Sequence, residues 1–329
     1  MGTMTKSVKR ILSGVQPSGS LHLGNYFGAL KQHIELQDEK NCEALYFIAN
    51  YHALTTVQDA ARLRTLTGDV ALDYLALGLD PKKATFFRQS DVPEVCELAW
   101  LLATVTGMGL LQRAHSYKDK TAQGITPSVG LFTYPILMAA DILAPQASLV
   151  PVGQDQIQHV EMARDMAGYF NEIYGEVFTL PEVRLDKAAK VPGVDGQKMS
   201  KSYNNTLPIF ESGKALRQKV MGIKTDSTPV DQPKNPESCN LFAIYSLFLT
   251  APEREALAQR YRAGGLAYGH VKEELYQRIE ATFAKAREER VRLEKDPQFV
   301  EGVLTEGAQK ARALAQDTLA RARKACGLQ

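Results

Sequence analysis

The sequence predicts an α/β fold, a doubly wound parallel sheet followed by a C-terminal helical domain. Three observations carry this reading. Short apolar segments alternate with helical patterns through the first half of the 329 residues, as the strands of a parallel sheet alternate with the helices covering its faces. From about Asn204 the alternation gives way to apolar positions at helical spacing alone. A composition that is 44% hydrophobic and 23% charged supplies enough apolar material for one large domain or two ordinary ones, and excludes disorder as the main state.

Each element can be justified in turn. RILSGV, residues 10–15, reads as a first strand, and a helix follows that begins near His22 and Gly24. ALYFIA (44–49) precedes a helix after Thr56, ATFFRQS (84–90) one from about Val92, and SLVPVG (148–153) one from about Asp155. In such a sheet a nucleotide sits at the carboxyl ends of the strands, where the strand order reverses. The helical half is marked by Leu241, Ile244, Tyr245, Leu247 and Phe248, then by Leu275, Ile279 and Phe283. Breaks fall at Pro233, Pro236, Pro252 and Gly264-Gly265. Between the halves lies KVPGVDGQKMSKSYNN (190–205), without a periodic apolar face, which reads as a mobile loop. No internal repeat and no low-complexity tract interrupts the pattern.

Charge and cysteine usage narrow the function classes. The apolar run at 130–145 is interrupted by Asp141 and two prolines, short of the ~20 residues a spanning helix needs. The basic start at Lys6, Lys9 and Arg10 leads into no apolar export segment, so a cytoplasmic protein with no membrane partner is expected. Cys42, Cys96, Cys239 and Cys326 lie far apart with no metal-type spacing. They read as free thiols, and no structural metal is expected. Residues 209–329 carry 20 Lys and Arg against 16 Asp and Glu, and residues 1–208 carry 19 against 21. A polyanion would therefore meet a local patch rather than a strongly basic domain.

Two motifs carry chemistry. In SGVQPSGSLHLGNYFGAL (13–30) a strand ends at Val15, Gln16 to Gly19 form a turn, and a helix opens near His22. Amide donors at that helix start face out of the sheet, and Gly24 leaves room for a phosphate or a flat nucleoside. Taken alone this could be an ordinary capped βα turn. The absence of GxxxxGK[ST] and GxGxxG speaks against P-loop and dinucleotide sites. The second motif is Lys198-Met199-Ser200-Lys201-Ser202, in which two ammonium groups three apart can close on charge that develops on a leaving pyrophosphate. Two lysines alone would read as a solvated basic loop.

QPSG-x-x-x-x-GNY at 16–26 together with KMSKS at 198–202 resembles the paired signatures of class I aminoacyl-tRNA synthetases, and QPSG…GNY…GAL is similar to the bacterial tryptophanyl-tRNA synthetase form. The likeness runs nearly end to end, through YHALT (51–55), GLDP (78–81), QSDVPE (89–94), YKDK (117–120), TYPILMAADIL (133–143), VPVGQDQIQH (150–159) and KTDS (224–227). It implies a Rossmann-like catalytic domain at 8–195, a mobile KMSKS loop at 196–206 and a helical anticodon-binding domain at 207–293. A C-terminal helix at 294–329 would pack back on the catalytic domain. It further implies that Mg·ATP and tryptophan form an adenylate and pyrophosphate, after which tRNA(Trp) takes the tryptophanyl group, on a homodimer. Asp141 would accept the indole N–H, with Met138, Val150, Val152, Leu12 and His52 around it, while Tyr134 and Gln156 hold the amino-acid backbone. For ATP the resemblance points to Gln16, Pro17, Ser18, Gly24, Asn25, Gly153, Gln154, Asp155, Val191, Lys198, Met199, Ser200, Lys201 and Ser202. The catalytic roles fall to His22, Lys120, Lys198, Ser200 and Lys201.

The chain departs from the family at several positions. Asn50-Tyr51 stands where Asp-Gln is usual, Gln154 replaces a Glu, Leu12 an aromatic residue and His22 a threonine, and the stretch between Arg184 and Lys198 is shorter. Other readings stay open at this point. A tyrosine-specific synthetase or a related nucleotidyltransferase would share the two signatures, although QPSG…GNY and MAADIL argue against both. A divergent duplicate could bind tryptophan or ATP as a regulatory or partner protein, or accept modified tryptophans.

Overall fold

The structure, a computed structural model, describes residues 8–114, 128–185 and 191–328. Five parallel strands form one sheet in the order β3-β2-β1-β4-β5: β1 (Lys9–Val15), β2 (Cys42–Ile48), β3 (Ala84–Arg88), β4 (Leu149–Val152) and β5 (Glu182–Leu185). The four strands read from the sequence are present, and a fifth, EVRL, lies at one edge. The strand order reverses between β1 and β4, so the switch point falls where Val15 and Val152 end their strands. β2 is buried on both faces from Ala44 to Ile48, which is why it reads as a continuous apolar run.

The crossovers are helical. α1 (Leu23–Asn25) runs through a π-helical turn at Tyr26–Leu30 into α2 (Lys31–Leu36). After β2 come α3 (Asn50–Ala53) and α4 (Ala60–Ala76), the latter capped by Asp59, whose carboxylate accepts the Arg62 N–H. After β3 a 3-10 turn (Gln89–Asp91) leads to α5 (Glu94–Val105), α6 (Met108–Gln112) and α7 (Val129–Leu143). After β4 comes α8 (Ile157–Tyr174). The second half is helical, with α9 (Gly213–Met221), α10 (Asn240–Ser246), α11 (Ala251–Ala263), α12 (Tyr268–Glu294) and α13 (Pro297–Ala325).

Two apolar clusters occupy the two faces of the sheet. One joins Leu23, Tyr46, Tyr74 and Phe86 to Leu241, Ile279 and Phe283, so the helical region shares a core with the sheet. The other joins Leu12, Phe47, Phe87, Leu102 and Phe170 to Ala311 and Ala315 of α13. The last helix lies against edge strand β3, where a Cβ on Gly307 would sit 1.9 Å from the Phe86 carbonyl oxygen. A run of small buried residues, Gly307, Ala308, Ala311 and Ala315, permits that approach. Arg312 reinforces it by binding Glu94 of α5 at 2.8 Å. An exposed edge strand invites pairing with another chain, and here a helix covers it.

Candidate active site at the switch point

A cleft of about 510 Å³ opens at the switch point, lined from the ends of β1 and β4 and from α3 and α7. Ten of the residues expected at the site line it: Leu12, Gln16, His52, Tyr134, Met138, Asp141, Val150, Val152, Gly153 and Gln156. Gly14 lines it too, because the Phe47 ring lies flush against β1 and a Cβ would sit 2.5 Å from it.

At its floor Asp141 is 6% exposed, a carboxylate among apolar residues of α7. Such a group is costly to bury unless it is hydrogen-bonded. His52 Nε2 lies 2.9 Å from Oδ2, and Gln89 Nε2 donates to Oδ1 at 2.9 Å and to Oδ2 at 2.8 Å. Burial pushes the Asp141 pKa up, while the His52 and Gln89 bonds pull it back. Across the cleft the Tyr134 hydroxyl is hydrogen-bonded to His159 Nε2.

A second group of residues gathers beside the cleft rather than in it. His22 is buried at the opening of α1, where its N–H donates to Asn25 Oδ1 at 3.1 Å. The Gly24 N–H reaches the Met199 sulfur at 3.3 Å, and Lys201 Nζ donates to the Ser18 carbonyl at 3.1 Å. Gly24 is required here, since a Cβ would sit 2.9 Å from the His22 ring and 3.3 Å from Met199. Burial, with the Lys201 charge adding to it, lowers the His22 pKa to about 4, so the imidazole is neutral at pH 7. Burial lowers the Lys201 pKa against the opposing pull of Asp73.

The segment carrying the two lysines has local structure. Pro192 and Lys198 form an antiparallel bridge, the Met199 N–H donates to the Val191 carbonyl at 2.9 Å, and a 3-10 turn spans Lys201–Tyr203. Ser200 caps that turn by accepting the Ser202 N–H. Lys198 and Ser202 are exposed and Pro17 is buried. Gln154 is exposed in a 3-10 turn that follows β4. Lys120 lies outside the described residues, as does the side chain of Asp155.

Sequence reasoning missed two side chains that organise these groups. Gln89, 1% exposed, was visible only as part of the matching QSDVPE stretch. Asn205, also 1% exposed, accepts the Ser200 N–H at 2.8 Å and donates to the Lys198 carbonyl at 3.1 Å and to Asp195 at 2.8 Å. Nothing in the run of two asparagines sets it apart from its neighbour Asn204. The departures at 50 and 51 also find a place. Asn50 exchanges hydrogen bonds with Ser90 at 2.7 and 3.0 Å, and neither it nor Tyr51 lines the cleft.

A parallel sheet with a helix-start turn after its first strand, a lysine-bearing loop docked on that turn and an apolar pocket at the switch point together define a synthetase of the class I type. The chain belongs to the tRNA synthetases class I (W and Y), whose family pattern matches residues 4–284. It is 54% identical to a tryptophan–tRNA ligase from Rhodopirellula baltica over 97% of this chain and 99% of that one. A crystal structure of tryptophanyl-tRNA synthetase from Campylobacter jejuni, complexed with ADP and tryptophan, superposes with a TM-score of 0.90 at 50% identity, covering 97% of this chain and 100% of that one. Tyrosyl-tRNA synthetase from Archaeoglobus fulgidus, at 20% identity and a TM-score of 0.68, shares the fold.

Proposed function

We infer that the chain is a tryptophan–tRNA ligase. It activates tryptophan with Mg·ATP to tryptophanyl-adenylate and pyrophosphate, then transfers the tryptophanyl group to tRNA(Trp). The observation that carries this is the buried, hydrogen-bonded Asp141 carboxylate at the floor of an otherwise apolar cleft that adjoins the docked lysine loop. A site built to satisfy a ring N–H rejects an analogue lacking it by up to ~10⁴-fold, because its own polar group is then left unpaired.

In this reading Asp141 accepts the indole N–H, Met138, Val150, Val152 and Leu12 wall the ring, and His52 supports the carboxylate. Tyr134 and Gln156 hold the amino and carboxyl groups. The carboxylate of tryptophan attacks the α-phosphorus in line and the bond to pyrophosphate breaks. Little covalent work falls to the protein, so positioning and charge stabilisation carry the rate. Neutral His22 adds no like charge beside Lys201, and the backbone at Gly24 and Asn25 receives the nucleotide once the Met199 sulfur that rests on the Gly24 N–H moves away with its loop. Gln16, Pro17, Ser18, Val191 and Met199 bound the same space, Gly153, Gln154 and Asp155 face the ribose, and Lys120 adds charge near the phosphates. Lys198 and Lys201, on a turn shaped by Ser200 and Ser202, meet the oxygens of the departing pyrophosphate.

The helical segment 207–293 is proposed to meet the anticodon arm, with 8–195 as the catalytic domain, 196–206 as the moving loop and 294–329 as its buttress. A homodimer is proposed on the likeness to the family. Among the described residues no helix is long and apolar enough to cross a membrane; a cytoplasmic location is proposed on the likeness to the family. Tryptophan-dependent exchange of labelled pyrophosphate into ATP, followed by charging of tRNA(Trp), tests the reading. Exchange driven by tyrosine, or by no amino acid, would overturn it.

A further inference from the structure

We propose that Gln89 is a positioning residue for amino-acid selection, an oriented amide that fixes the Asp141 carboxylate as a pure hydrogen-bond acceptor and so sets the preference for a ring bearing an N–H. The inference rests on the proposed role of Asp141. Gln89 does not line the main cleft; it borders a small void on the far side of Asp141, shared with Phe87, Ala311 and Ala315. Its effect on a ligand therefore passes through Asp141.

Its orientation is dictated by chemistry. Oε1 accepts the Tyr51 N–H at 2.9 Å and the His52 N–H at 3.3 Å. These amides open α3, where helix N–H groups lack partners within the helix. Turning the side-chain amide over would set its NH₂ against two donors, so the carbonyl end is pinned and the NH₂ end must face α7. There Nε2 straddles both oxygens of Asp141, at 2.9 and 2.8 Å. One amide thus ties the end of β3, the start of α3 and the last turn of α7 into a single unit.

The consequence concerns how many acceptor sites remain. Oδ2 takes bonds from His52 and Gln89, while Oδ1 takes one from Gln89 alone. A carboxylate offers about four lone-pair sites, so acceptor capacity remains on Oδ1 for one more donor. A protonated, freely turning carboxyl could itself donate and would tolerate a ring without an N–H. The donors from Gln89 oppose that state by stabilising the charge that burial disfavours.

Gln89→Glu is the informative variant, because its near oxygen still accepts from Tyr51 and His52 while a second carboxyl replaces the NH₂ against Asp141, so the two share a proton and Asp141 is no longer held as an ionised acceptor. The readout is kcat/KM for tryptophan over that for β-(3-benzothienyl)alanine, the isostere lacking the N–H, in pyrophosphate exchange. The ratio should fall about 10-fold or more, the loss expected for hydrogen bonds to a charged group. The loss should appear in the tryptophan KM, with the ATP KM unchanged. A ratio within about twofold of wild type in a variant with intact exchange overturns the inference. Gln89→Met, similar in volume and without donor or acceptor, repeats the measurement if the Glu variant does not fold. Wild-type protein lacking tryptophan-dependent exchange would refute the proposed function instead.

Discussion

Replacing Lys201 with Ala separates the resting and reacting roles of the lysine loop. At rest its Nζ donates to the Ser18 carbonyl at 3.1 Å in a half-buried setting. Although the donor is charged, solvent reaches the bond and screens it, which leaves a contribution of about 0.5–1.5 kcal/mol net. During reaction the same ammonium is expected to leave Ser18 for the pyrophosphate oxygens, and losing one preorganised donor of that kind costs about 2.7–4 kcal/mol. Because the wild-type enzyme must give up the first contact to make the second, the difference governs the rate. It comes to about 2–3 kcal/mol, or roughly 10²-fold in kcat/KM. Lys198 is exposed, with no corresponding resting bond among the side-chain contacts of the described residues, so Lys198→Ala should lose at least as much. The assay is tryptophan-dependent pyrophosphate exchange with kcat and KM resolved, beside an equilibrium titration of tryptophan. Tryptophan affinity should not change, since neither lysine lines the cleft. In Lys201→Ala the His22 titration followed by NMR should move up from about 4 yet stay below 6.5, because burial is the larger cause and Lys201 the smaller. Equal losses in tryptophan binding and rate, or no loss in rate, would refute the transition-state role.

Asp141→Asn should weaken tryptophan binding by about 1–3 kcal/mol, since its amide presents a donor toward Gln89, His52 or the indole whichever way it turns. Calorimetric titration reads this, and wild-type affinity would remove Asp141 from the site. Gly307→Ala should lower the unfolding free energy by about 1–3 kcal/mol in urea titrations, as overpacking outweighs the better helix propensity of Ala. An unchanged or raised midpoint would contradict the close approach to Phe86. Burial holds the His33 pKa at about 4 against 6.5 for a free histidine, so the unfolded chain takes up the proton first as pH falls. Stability should be full above pH 6.5 and decline toward pH 4, with His33 contributing roughly 3 kcal/mol of that loss. His33→Gln should flatten this part of the slope in denaturation curves across the range, and an equal slope would place the titration elsewhere.

Much of this architecture was legible because periodicity reports burial. β1 to β4 are apolar runs bounded by turns, and both chemical motifs sit where a strand or a loop exposes its backbone. β5 escaped notice because EVRL is a four-residue edge strand, partly exposed, with a charge at alternate positions. Cleft walls such as Val150 and Met138 were legible by resemblance, since their apolar character alone is equally that of core residues. The polar organisers were not legible. Gln89 and Asn205 act through several backbone partners each, and an amide that bonds to distant main chain leaves no spacing in the sequence. The neutral Asn50, a departure from the family pattern, pairs with Ser90 outside the cleft.

The helix that covers β3 sets a timetable for biosynthesis. β3 leaves the ribosome roughly 200 residues before α13 does. At about 5–20 residues per second this interval is on the order of 10–40 s. Throughout it the nascent chain carries an open strand edge rich in Phe, with Phe86 and Phe87 side by side. Polysomes bring several such chains together, so this edge is the place where neighbouring nascent chains could pair. Holdase chaperones would be needed there longest, and slowed translation of the last helix would raise aggregation before it altered any kinetic constant of the finished protein.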